Sequence, residues 1–200
     1  MNFFERREQV SSPEENLILV DQNDQELGGM SKLDCHSGDG TLHRAFSIFV
    51  FNSADELLLQ QRSSVKPLWP LYWSNTCCSH PRTGESMKVA TERRLKEEIG
   101  IKCPLTYLYK FEYQANYKDI GAECELCSVF VGRSDGPFDP NMEELAAMRF
   151  IGIDELDSEL ENNPNNYTPW FKMEWLELRS KINNCGGSVS KFLAENASAE

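Results

Sequence analysis

The chain has 200 residues, of which 40% are hydrophobic and 26% are charged, and its formal net charge is −12. This length predicts one elaborated domain or two small ones, and the hydrophobic content excludes a disordered or collagen-like chain. The negative charge disfavours nucleic acids and anionic membranes as partners, because both are polyanions.

The first residues, MNFFERREQVSSPEEN, carry charges where a signal peptide needs an apolar core. No run in the sequence approaches the roughly 20 apolar residues that cross a bilayer. We therefore predict a cytoplasmic protein without membrane contact, with residues 1–16 as an N-terminal extension. Its seven cysteines are expected to be reduced thiols. Cys124 and Cys127 form a lone C-x-x-C, which we interpret as two strand cysteines because no second pair has zinc-ribbon spacing.

The first half of the chain is predicted to contain strands followed by one capped helix. The elements in chain order are a strand at 17–21, a flexible or tight connection at 27–32, a hairpin of 45–51 with 57–62, a long irregular segment at 63–85 and a helix from Ser86 to Ile99. Ser86 can cap the helix and Gly100 can end it. Long loops in compact domains are often functional, so the segment at 63–85 is a candidate for the site.

The second half is predicted to mix strands and helices. The elements are strands at 107–113 and 123–132, a helical turn or two at 141–148, a strand at 149–153, a helix at 153–161, an Asn-rich loop and a last helix capped by Thr168. The alternating aromatic face of the first strand is Tyr107, Tyr109, Phe111 and Tyr113. The buried stripe of the last helix is Phe171, Trp175, Leu178 and Ile182. Interspersed helices and more numerous strands favour an α/β or α+β sandwich over residues 17–183, with 184–200 as a flexible tail.

Histidine is rare in this chain and marks candidate metal ligands. The three histidines fall in predicted loops beside other polar residues: His36, His43 and His80. On the predicted strand, Glu123 and Glu125 point the same way, toward a face that continues into Cys127. Two carboxylates at a half-buried position need a cation between them, and three imidazoles with two carboxylates suit a five- or six-coordinate divalent ion. Structural histidines and a solvated E-x-E face are alternatives that these residues leave open.

Two further groups of charged residues could bind a phosphorylated ligand. Glu98 on the predicted helix could hold Mg²⁺ against it, or pair with Arg94 on a solvated helix face. The cations in the same part of the chain could hold a diphosphate: Lys32, Arg62, Lys66, Arg82, Arg93 and Arg94. Ordinary surface positions are the alternative for these side chains.

Five motifs, in this order, resemble the type I isopentenyl-diphosphate isomerases, a family with the Nudix fold: HRAFSIFVFN, QQRSSVKPLWPLYWSNTCCSHP, GES with RRLKEEIGI, ECEL and TPWF. The resemblance runs from about residue 17 to residue 176. It implies an α/β (α+β) fold, a Nudix-like α/β/α sandwich with a mixed sheet. The helix departs from the Nudix box at Ser79, Ala90 and Arg94, which puts Nudix-type hydrolysis in doubt and fits the isomerase branch.

The resemblance also implies a role for each matching residue. The implied divalent-metal ligands are His36, His43, His80, Glu123 and Glu125. The implied catalytic residues are Cys78, Glu125, Tyr113 and Trp170. The implied substrate-binding residues are Lys32, Arg62, Lys66 and Ser79. Glu98 would hold Mg²⁺ on the diphosphate, and a second divalent ion, Mn²⁺, Mg²⁺ or Zn²⁺, would occupy the His/Glu site.

The implied reaction interconverts isopentenyl and dimethylallyl diphosphate, the precursors of isoprenoids, through a tertiary carbocation. It needs an acid on one face of the alkene, a base on the other, aromatic walls and exclusion of water. Cys78 and Glu125 fit the opposed pair, and Trp170 offers its π face to the cation, although core packing alone would also explain this tryptophan. Adjacent residues of an extended chain point opposite ways, so Cys77 is expected to pack inward.

The expected partner is therefore a small-molecule diphosphate, bound by a monomer or weak dimer. Two other functions remain open at this stage. A Nudix hydrolase of a nucleoside or other diphosphate would share the fold and the Mg²⁺ and would release phosphate. A metal-stabilised binding protein would convert no substrate.

Overall fold

The computed structural model describes residues 9–197, so residues 1–8 and 198–200 of the predicted terminal segments lie outside the described residues. Within this range one sheet contains the strands β1 (Asn16–Val20), β2 (Glu26–Ser31), β3 (His43–Phe51), β4 (Leu57–Arg62), β5 (Trp73–Ser74), β6 (Cys77–Ser79), β7 (Leu105–Tyr117), β8 (Gly121–Arg133) and β9 (Leu145–Ile151). The helices are α1 (Lys32–Cys35), α2 (Met87–Ile99), α3 (Ile153–Asn162), α4 (Pro169–Asn184) and α5 (Val189–Ala197), with a 3₁₀ turn at Pro164–Asn166. None of these described helices combines the length and the apolar character that crossing a membrane requires.

Strand β3 is the centre of the sheet and gives it mixed directions. It pairs in parallel with β8 along its whole length, beginning at His43↔Glu125, and antiparallel with β6 at Ser47↔Cys78. Because β6 and β8 pair with the same part of β3, they lie on its opposite sides. Strands β3 and β4 form the predicted hairpin but pair only beside the turn; β7 extends the sheet beyond β8, and β5 and β9 flank β4. The predicted α/β (α+β) class with a mixed sheet is confirmed.

Helices cover both faces of the sheet, and each face has its own hydrophobic core. On one face, α3, α4 and α5 pack over Phe49 and Phe51 of β3. On the other face, α2 packs over Phe46 and Ile48 of the same strand. The stripe predicted for α4 is buried in the first core: Phe171, Trp175, Leu178 and Ile182. Alternation along β3 therefore feeds two cores and produces an α/β/α sandwich.

Helix α2 begins and ends where the sequence predicts. The Ser86 hydroxyl accepts a hydrogen bond from the backbone N–H of Val89 at 3.4 Å, which caps the helix. Gly100 ends it with φ +80°, and its N–H donates to the Lys96 carbonyl. A Cβ at this position would lie 2.5 Å from the Asp139 carbonyl oxygen. Only glycine therefore combines this left-handed turn with the close approach of the neighbouring chain.

The prediction of a flexible or tight connection at 27–32 is wrong, because most of this segment forms strand β2. This strand pairs antiparallel with β1, from Asn16↔Ser31 to Val20↔Glu26. Glycine is depleted in strands, so Gly28 and Gly29 hid it from the sequence. At Gly29 a Cβ would lie 2.6 Å from the Asn16 side chain, and glycine thus permits the close pairing.

The helical turns predicted at 141–148 are also wrong, because strand β9 begins at Leu145. It pairs antiparallel with β4, from Leu57↔Ile151 to Arg62↔Leu145. The glutamate and alanine of this segment favour a helix locally. Pairing with β4, which is distant in sequence, overrides that local preference.

The C-terminal segment predicted as a flexible tail contains helix α5. Val189 and Phe192 of this helix are fully buried in the core that α4 also covers. We predicted a flexible chain because the segment is rich in glycine, serine and alanine. Two apolar residues three positions apart are nevertheless enough to pack one face of a short helix against the core. The expectation of a flexible tail is therefore wrong for residues 189–197.

The aromatic face of β7 matches the prediction with one exception. Tyr109, Phe111 and Tyr113 pack toward the core under α4. Tyr107 is 47% exposed instead, because the register of β7 against β8 shifts between Tyr107 and Tyr109. Simple alternation cannot reveal such a bulge.

Candidate active site

A compact cluster of imidazoles and carboxylates lies where β3 and β8 begin to pair. His43 opens β3, His36 follows α1 and His80 follows β6, with ring centroids 4.8 to 5.3 Å apart. Glu123 and Glu125 project from β8 beside them. One ligand atom from each of these five residues lies within 4.8 Å of the others. The fold therefore brings together all five residues that the sequence predicted as metal ligands.

Backbone contacts turn two of the imidazoles toward the centre of this cluster. The Nδ1 atoms of His36 and His43 lie 2.6 and 2.7 Å from the carbonyl oxygens of Lys32 and Thr41. A carbonyl can only accept, so each Nδ1 donates. Nε2 of the neutral His43 imidazole is then left with a lone pair, whereas Nε2 of His36 lies 2.7 Å from Oε2 of Glu123 and donates to it while this imidazole is protonated. Among the described residues, the buried Nε2 of His43 has no hydrogen-bond partner. A buried nitrogen with an unused lone pair among carboxylates fits a divalent cation.

The two carboxyl groups of the cluster have pKa values that are shifted in opposite directions. Burial would raise the pKa of Glu123, but His36, with Nε2 2.7 Å from Oε2, lowers that pKa to about 2. Burial and the negative charge of Glu123 raise the pKa of Glu125 well above its usual value. Burial also lowers the pKa of His43 to about 4. The buried imidazole of His43 is thus neutral, as metal binding requires, and a cation here would favour the ionised form of Glu125.

A cavity of about 480 Å³ opens beside the cluster, between the sheet and the start of α4. Most of the predicted site residues line it: Lys32, His36, Arg62, Lys66, Cys78, Ser79, His80, Tyr113, Glu123, Glu125 and Trp170. His43 is fully buried and does not reach the wall. The predicted long segment at 63–85 supplies several of these residues and also contains the short strands β5 and β6.

Cys78 and Glu125 lie on opposite sides of β3, on β6 and β8 respectively. Burial raises the pKa of the Cys78 thiol to about 12, although the nearby Arg62 guanidinium, 3.9 Å from the sulfur, opposes this shift. The thiol therefore keeps its proton at neutral pH, unlike the thiolate of a nucleophilic cysteine. Cys77 is fully buried in the core under α2, so it packs inward as predicted.

Aromatic rings form the wall around this pair. The Tyr113 hydroxyl donates a hydrogen bond to Oε2 of Glu125 at 2.7 Å. The Trp170 ring lies 6.3 Å from the Tyr113 ring and 5.2 Å from that of Trp69. The Arg62 guanidinium stands over Trp170, 5.2 Å from the ring centroid. The π face of Trp170 is thus turned toward a position where a cation is attracted.

Positive side chains are grouped in one part of the cavity wall, together with residues that precede β1. Nζ of Lys32 donates to the Ser11 hydroxyl at 2.6 Å. Lys66 pairs with the buried carboxylate of Glu144, and the Arg94 guanidinium lies 3.7 Å from the same carboxylate. The Ser11 backbone N–H donates to Glu144 at 2.7 Å. Glu144 therefore holds two cavity-lining cations and the N-terminal segment in one arrangement.

Glu144 was not identified from the sequence, whereas Arg94 was named among the cations that could hold a diphosphate and does line the cavity. Glu144 is one of two adjacent glutamates in NMEEL, and only the fold shows that it faces Lys66. Arg94 carried a signal, its replacement of the usual Nudix-box glutamate. Arg94 also accounts for the position of Glu98, which does not line the cavity. Glu98 is buried and pairs with Arg94, and its carboxylate lies 3.5 Å from the Gln60 amide nitrogen.

Comparison with known proteins assigns this chain to a family. The NUDIX domain family matches residues 41–171. The chain is 47% identical over 166 residues to isopentenyl-diphosphate Delta-isomerase 1 of Photorhabdus laumondii subsp. laumondii, covering 82% of this chain and 94% of that one. The chain belongs to the isopentenyl-diphosphate Delta-isomerase family, within the NUDIX domain proteins. The isopentenyl-diphosphate Delta-isomerase of Burkholderia multivorans is a second member, 44% identical over 158 residues that cover 79% of this chain and 89% of its own.

Solved structures agree on the NUDIX fold of this isomerase family member. A Deinococcus radiodurans protein superposes with a TM-score of 0.62 at 20% identity, covering 74% of this chain and 90% of its own. A MutT protein from Methanosarcina mazei Go1 gives a TM-score of 0.57 at 16% identity, covering 71% and 95%. At such identities the likeness concerns the fold alone. The family predicted from the sequence motifs and the Nudix-like fold are both confirmed.

Proposed function

We propose that this chain interconverts isopentenyl and dimethylallyl diphosphate by moving one proton onto a terminal alkene carbon and removing another two carbons away. The observation that carries the proposal is the pairing of a protonated thiol, Cys78, with a buried carboxyl group, Glu125, in the wall of one cavity. The names of the related isomerases support it. So does the group of cations in the cavity wall, which suits a diphosphate.

The proton shift needs groups on both faces of the alkene. An unactivated alkene is a very weak base, and its protonation gives a tertiary carbocation that water would capture. Cys78 and Glu125, on strands that flank β3, are proposed as acid and base in an order that depends on the direction of reaction. Tyr113 holds Oε2 of Glu125 by its hydrogen bond, and Trp170 faces the carbocation with its π electrons.

The His/Glu cluster is proposed to bind a divalent ion, Mn²⁺, Mg²⁺ or Zn²⁺, through His36, His43, His80, Glu123 and Glu125. The mixed nitrogen and oxygen donors suit any of these ions. When bound, the ion would supply positive charge that favours the ionised form of Glu125. Because Glu125 also accepts the Tyr113 hydrogen bond, its carboxylate is held at two atoms and stays oriented toward the cavity.

The diphosphate is proposed to lie among the cavity-lining cations Lys32, Arg62, Lys66 and Arg94, beside Ser79. Lys66 and Arg94 already have carboxylate partners, Glu144 and Glu98 respectively. For Glu98 to hold Mg²⁺ on the diphosphate, Arg94 must exchange Glu98 for a phosphate oxygen. Arg94 can therefore neutralise either the Glu98 carboxylate or the diphosphate.

Substrate capture is expected to weaken above pH 8. Burial and the charges of Lys66 and Arg94 lower the pKa of Lys32 from 10.5 to about 8. A lysine is charged below its pKa, so its attraction for a diphosphate is complete below this pH and fades as the pH rises through it. A profile of kcat/KM between pH 6 and 10 checks this. Lys32→Arg, whose side chain stays charged, should move the decline to higher pH, and an unchanged decline would contradict this role for Lys32.

Glu98→Gln is expected to raise the Mg²⁺ concentration needed for half-maximal rate by about tenfold or more, because an amide is a weaker ligand than a carboxylate. The measurement is a Mg²⁺ titration of the initial rate, with thermal unfolding to verify the fold. Glu97→Gln is the matched control, since Glu97 is the adjacent, more exposed carboxylate, which pairs with Arg93 at 3.0 Å and makes a longer contact of 3.4 Å with Arg94. A titration of Glu98→Gln that matches the unmodified protein would exclude the proposed role.

A hydrolase of a nucleoside or other diphosphate is the second candidate, because the NUDIX domain is shared with hydrolases. Arg94 disfavours the hydrolase, since this arginine stands where the Nudix box has a carboxylate and pairs with Glu98.

A cytoplasmic location and a monomer or weak dimer belong to the proposal of an isomerase. The free thiols of all seven cysteines support a reducing compartment.

The decisive experiment is incubation with isopentenyl diphosphate and Mg²⁺ in D₂O, followed by NMR. We expect loss of the exo-methylene signals, growth of dimethylallyl methyl signals and incorporation of deuterium. A phosphate-release assay on the same sample distinguishes the hydrolase, which would free phosphate. Folded, metal-loaded protein that converts nothing would refute the proposed function.

A further inference from the structure

The start of helix α4 is tied to the segment that carries Cys78 by a buried bond between two hydroxyl groups. Thr168 occupies the N-cap position, but its side chain makes no cap hydrogen bond, contrary to the prediction from the sequence. Its Oγ1 lies 2.9 Å from Oγ of Ser74 instead. Both residues are fully buried. The helix thus forgoes a side-chain cap in favour of a contact with β5.

The hydrogen bonds from this contact run in one direction toward the Cys77–Cys78 peptide. Ser74 donates its only hydroxyl proton to Oδ1 of Asn75 at 2.9 Å, so Thr168 must be the donor to Ser74. The Asn75 amide nitrogen then donates to the Cys77 carbonyl at 2.8 Å and to the Ile48 carbonyl at 3.3 Å. A continuous buried network therefore joins the first turn of α4 to the backbone that positions the catalytic thiol.

Trp170 depends on this network for its position. Within the described part of the chain its buried indole nitrogen has no hydrogen-bond partner, so the ring is held by its contacts with Arg62, Trp69 and Tyr113 and by its backbone. The backbone just before it is attached to β5: the Thr168 N–H donates to the Trp73 carbonyl at 3.0 Å, and Trp73 pairs with Tyr167. The ring is consequently placed by where α4 begins.

We propose that Thr168 and Ser74 are positioning residues that set the separation between the Cys78 thiol and the Trp170 ring. Neither lines the cavity, so both act through the residues they hold. The inference rests on the proposed isomerase function, in which the thiol and the π face must meet the same small carbon skeleton. Three of the cations proposed to bind the diphosphate, Lys32, Lys66 and Arg94, are attached elsewhere, through Ser11 and Glu144. Arg62, the fourth, contacts the Cys78 sulfur and the Trp170 ring. Loss of the Thr168–Ser74 bond should therefore affect mainly the chemical step and leave the three cations at Ser11 and Glu144 in place.

The test is Thr168→Val, which keeps the shape of the side chain and removes the hydroxyl. Since Thr168 makes no cap bond, the valine takes none away from α4. We expect kcat to fall by about 10- to 100-fold, the scale of a small misplacement of reacting groups, with KM for isopentenyl diphosphate nearly unchanged. Thr168→Ser, which retains the hydroxyl, should recover most of kcat.

Two further variants separate positioning from a general loss of stability. Ser74→Ala removes the bond to Thr168 and also the bond to Asn75, so it should lower kcat at least as much as Thr168→Val. Adding Thr168→Val to Ser74→Ala should cause little further loss, because the link to Thr168 is already broken. Thr76→Val is the matched control: Thr76 is equally buried in the same segment, but its hydroxyl bonds Val50 and Leu58 of the sheet. It should lower the unfolding temperature without the same loss of kcat.

The outcomes distinguish this inference from the function on which it rests. If the unmodified protein converts no isopentenyl diphosphate, the proposed function fails. If it is active and Thr168→Val or the foldable Ser74→Ala keeps full kcat, the positioning role is overturned. A fall in kcat that Thr76→Val reproduces, or that Thr168→Ser does not recover, also overturns it.

Discussion

Cys78→Ala is expected to lower kcat by about 10²–10⁴-fold, the usual contribution of a placed general acid or base. The reason is that its thiol lines the cavity and holds its proton at neutral pH. Alanine can neither give nor take a proton. The initial rate of deuterium incorporation by NMR, at saturating isopentenyl diphosphate, measures the loss.

The adjacent cysteine provides the matched control. Cys77 is fully buried on the other face of the sheet, among the residues under α2. Cys77→Ala should cost on the order of 1 kcal/mol of stability, as core truncations do, and keep most of the activity. Equal loss of kcat from both changes, with both proteins folded, would mean that the sulfur at position 78 is not the acting group.

Glu125→Gln is the second change with a large expected effect, again about 10²–10⁴-fold in kcat. The single oxygen of an amide can replace one of the two carboxylate oxygens, either as a metal ligand or as the acceptor of the Tyr113 hydrogen bond, and the amide cannot carry the proton of the reaction. Bound metal should be measured by mass spectrometry on the same sample. Loss of activity with the metal retained assigns the effect to proton transfer.

Glu174 offers a control of the same chemistry. It is a fully buried carboxyl group on α4, it does not line the cavity, and burial raises its pKa to about 8. Glu174→Gln therefore replaces a neutral acid with a neutral amide of the same shape at neutral pH, and activity should persist. The assignment of Glu125 fails if Glu125→Gln turns over normally, or if Glu174→Gln is equally damaging.

The sequence predicted that His36, His43, His80, Glu123 and Glu125 come together, because these residue types are scarce and part of the signal is local. Three histidines leave few combinations, and strand alternation alone places Glu123 and Glu125 on one face. Helix α2 was equally accessible, since Ser86 and Gly100 mark its two ends. The alternation of strand side chains and the capping of a helix are both set by residues that lie close together in the sequence.

The errors share a different cause. Strands β2 and β9 form because β1 and β4 offer unpaired edges, and neither edge is visible in the local residues. The cap predicted for Thr168 is absent because a serine 94 positions earlier takes its hydroxyl. Glu98 faces Arg94 for a comparable reason: only the packed structure decides which of several possible partners a charged side chain meets.

Some residues that line this cavity lie on strands and others lie on loops, which has a consequence for redesign. The proposed reacting pair and the proposed His/Glu ligands lie on or beside β3, β6 and β8, whereas Lys66 and the stretch around Ser11 lie outside the strands. Loop backbone tolerates sequence change far better than a central strand. Attempts to admit longer or differently phosphorylated alkenes should therefore diversify residues 9–13 and 64–68, and leave the strand positions that carry the proton untouched.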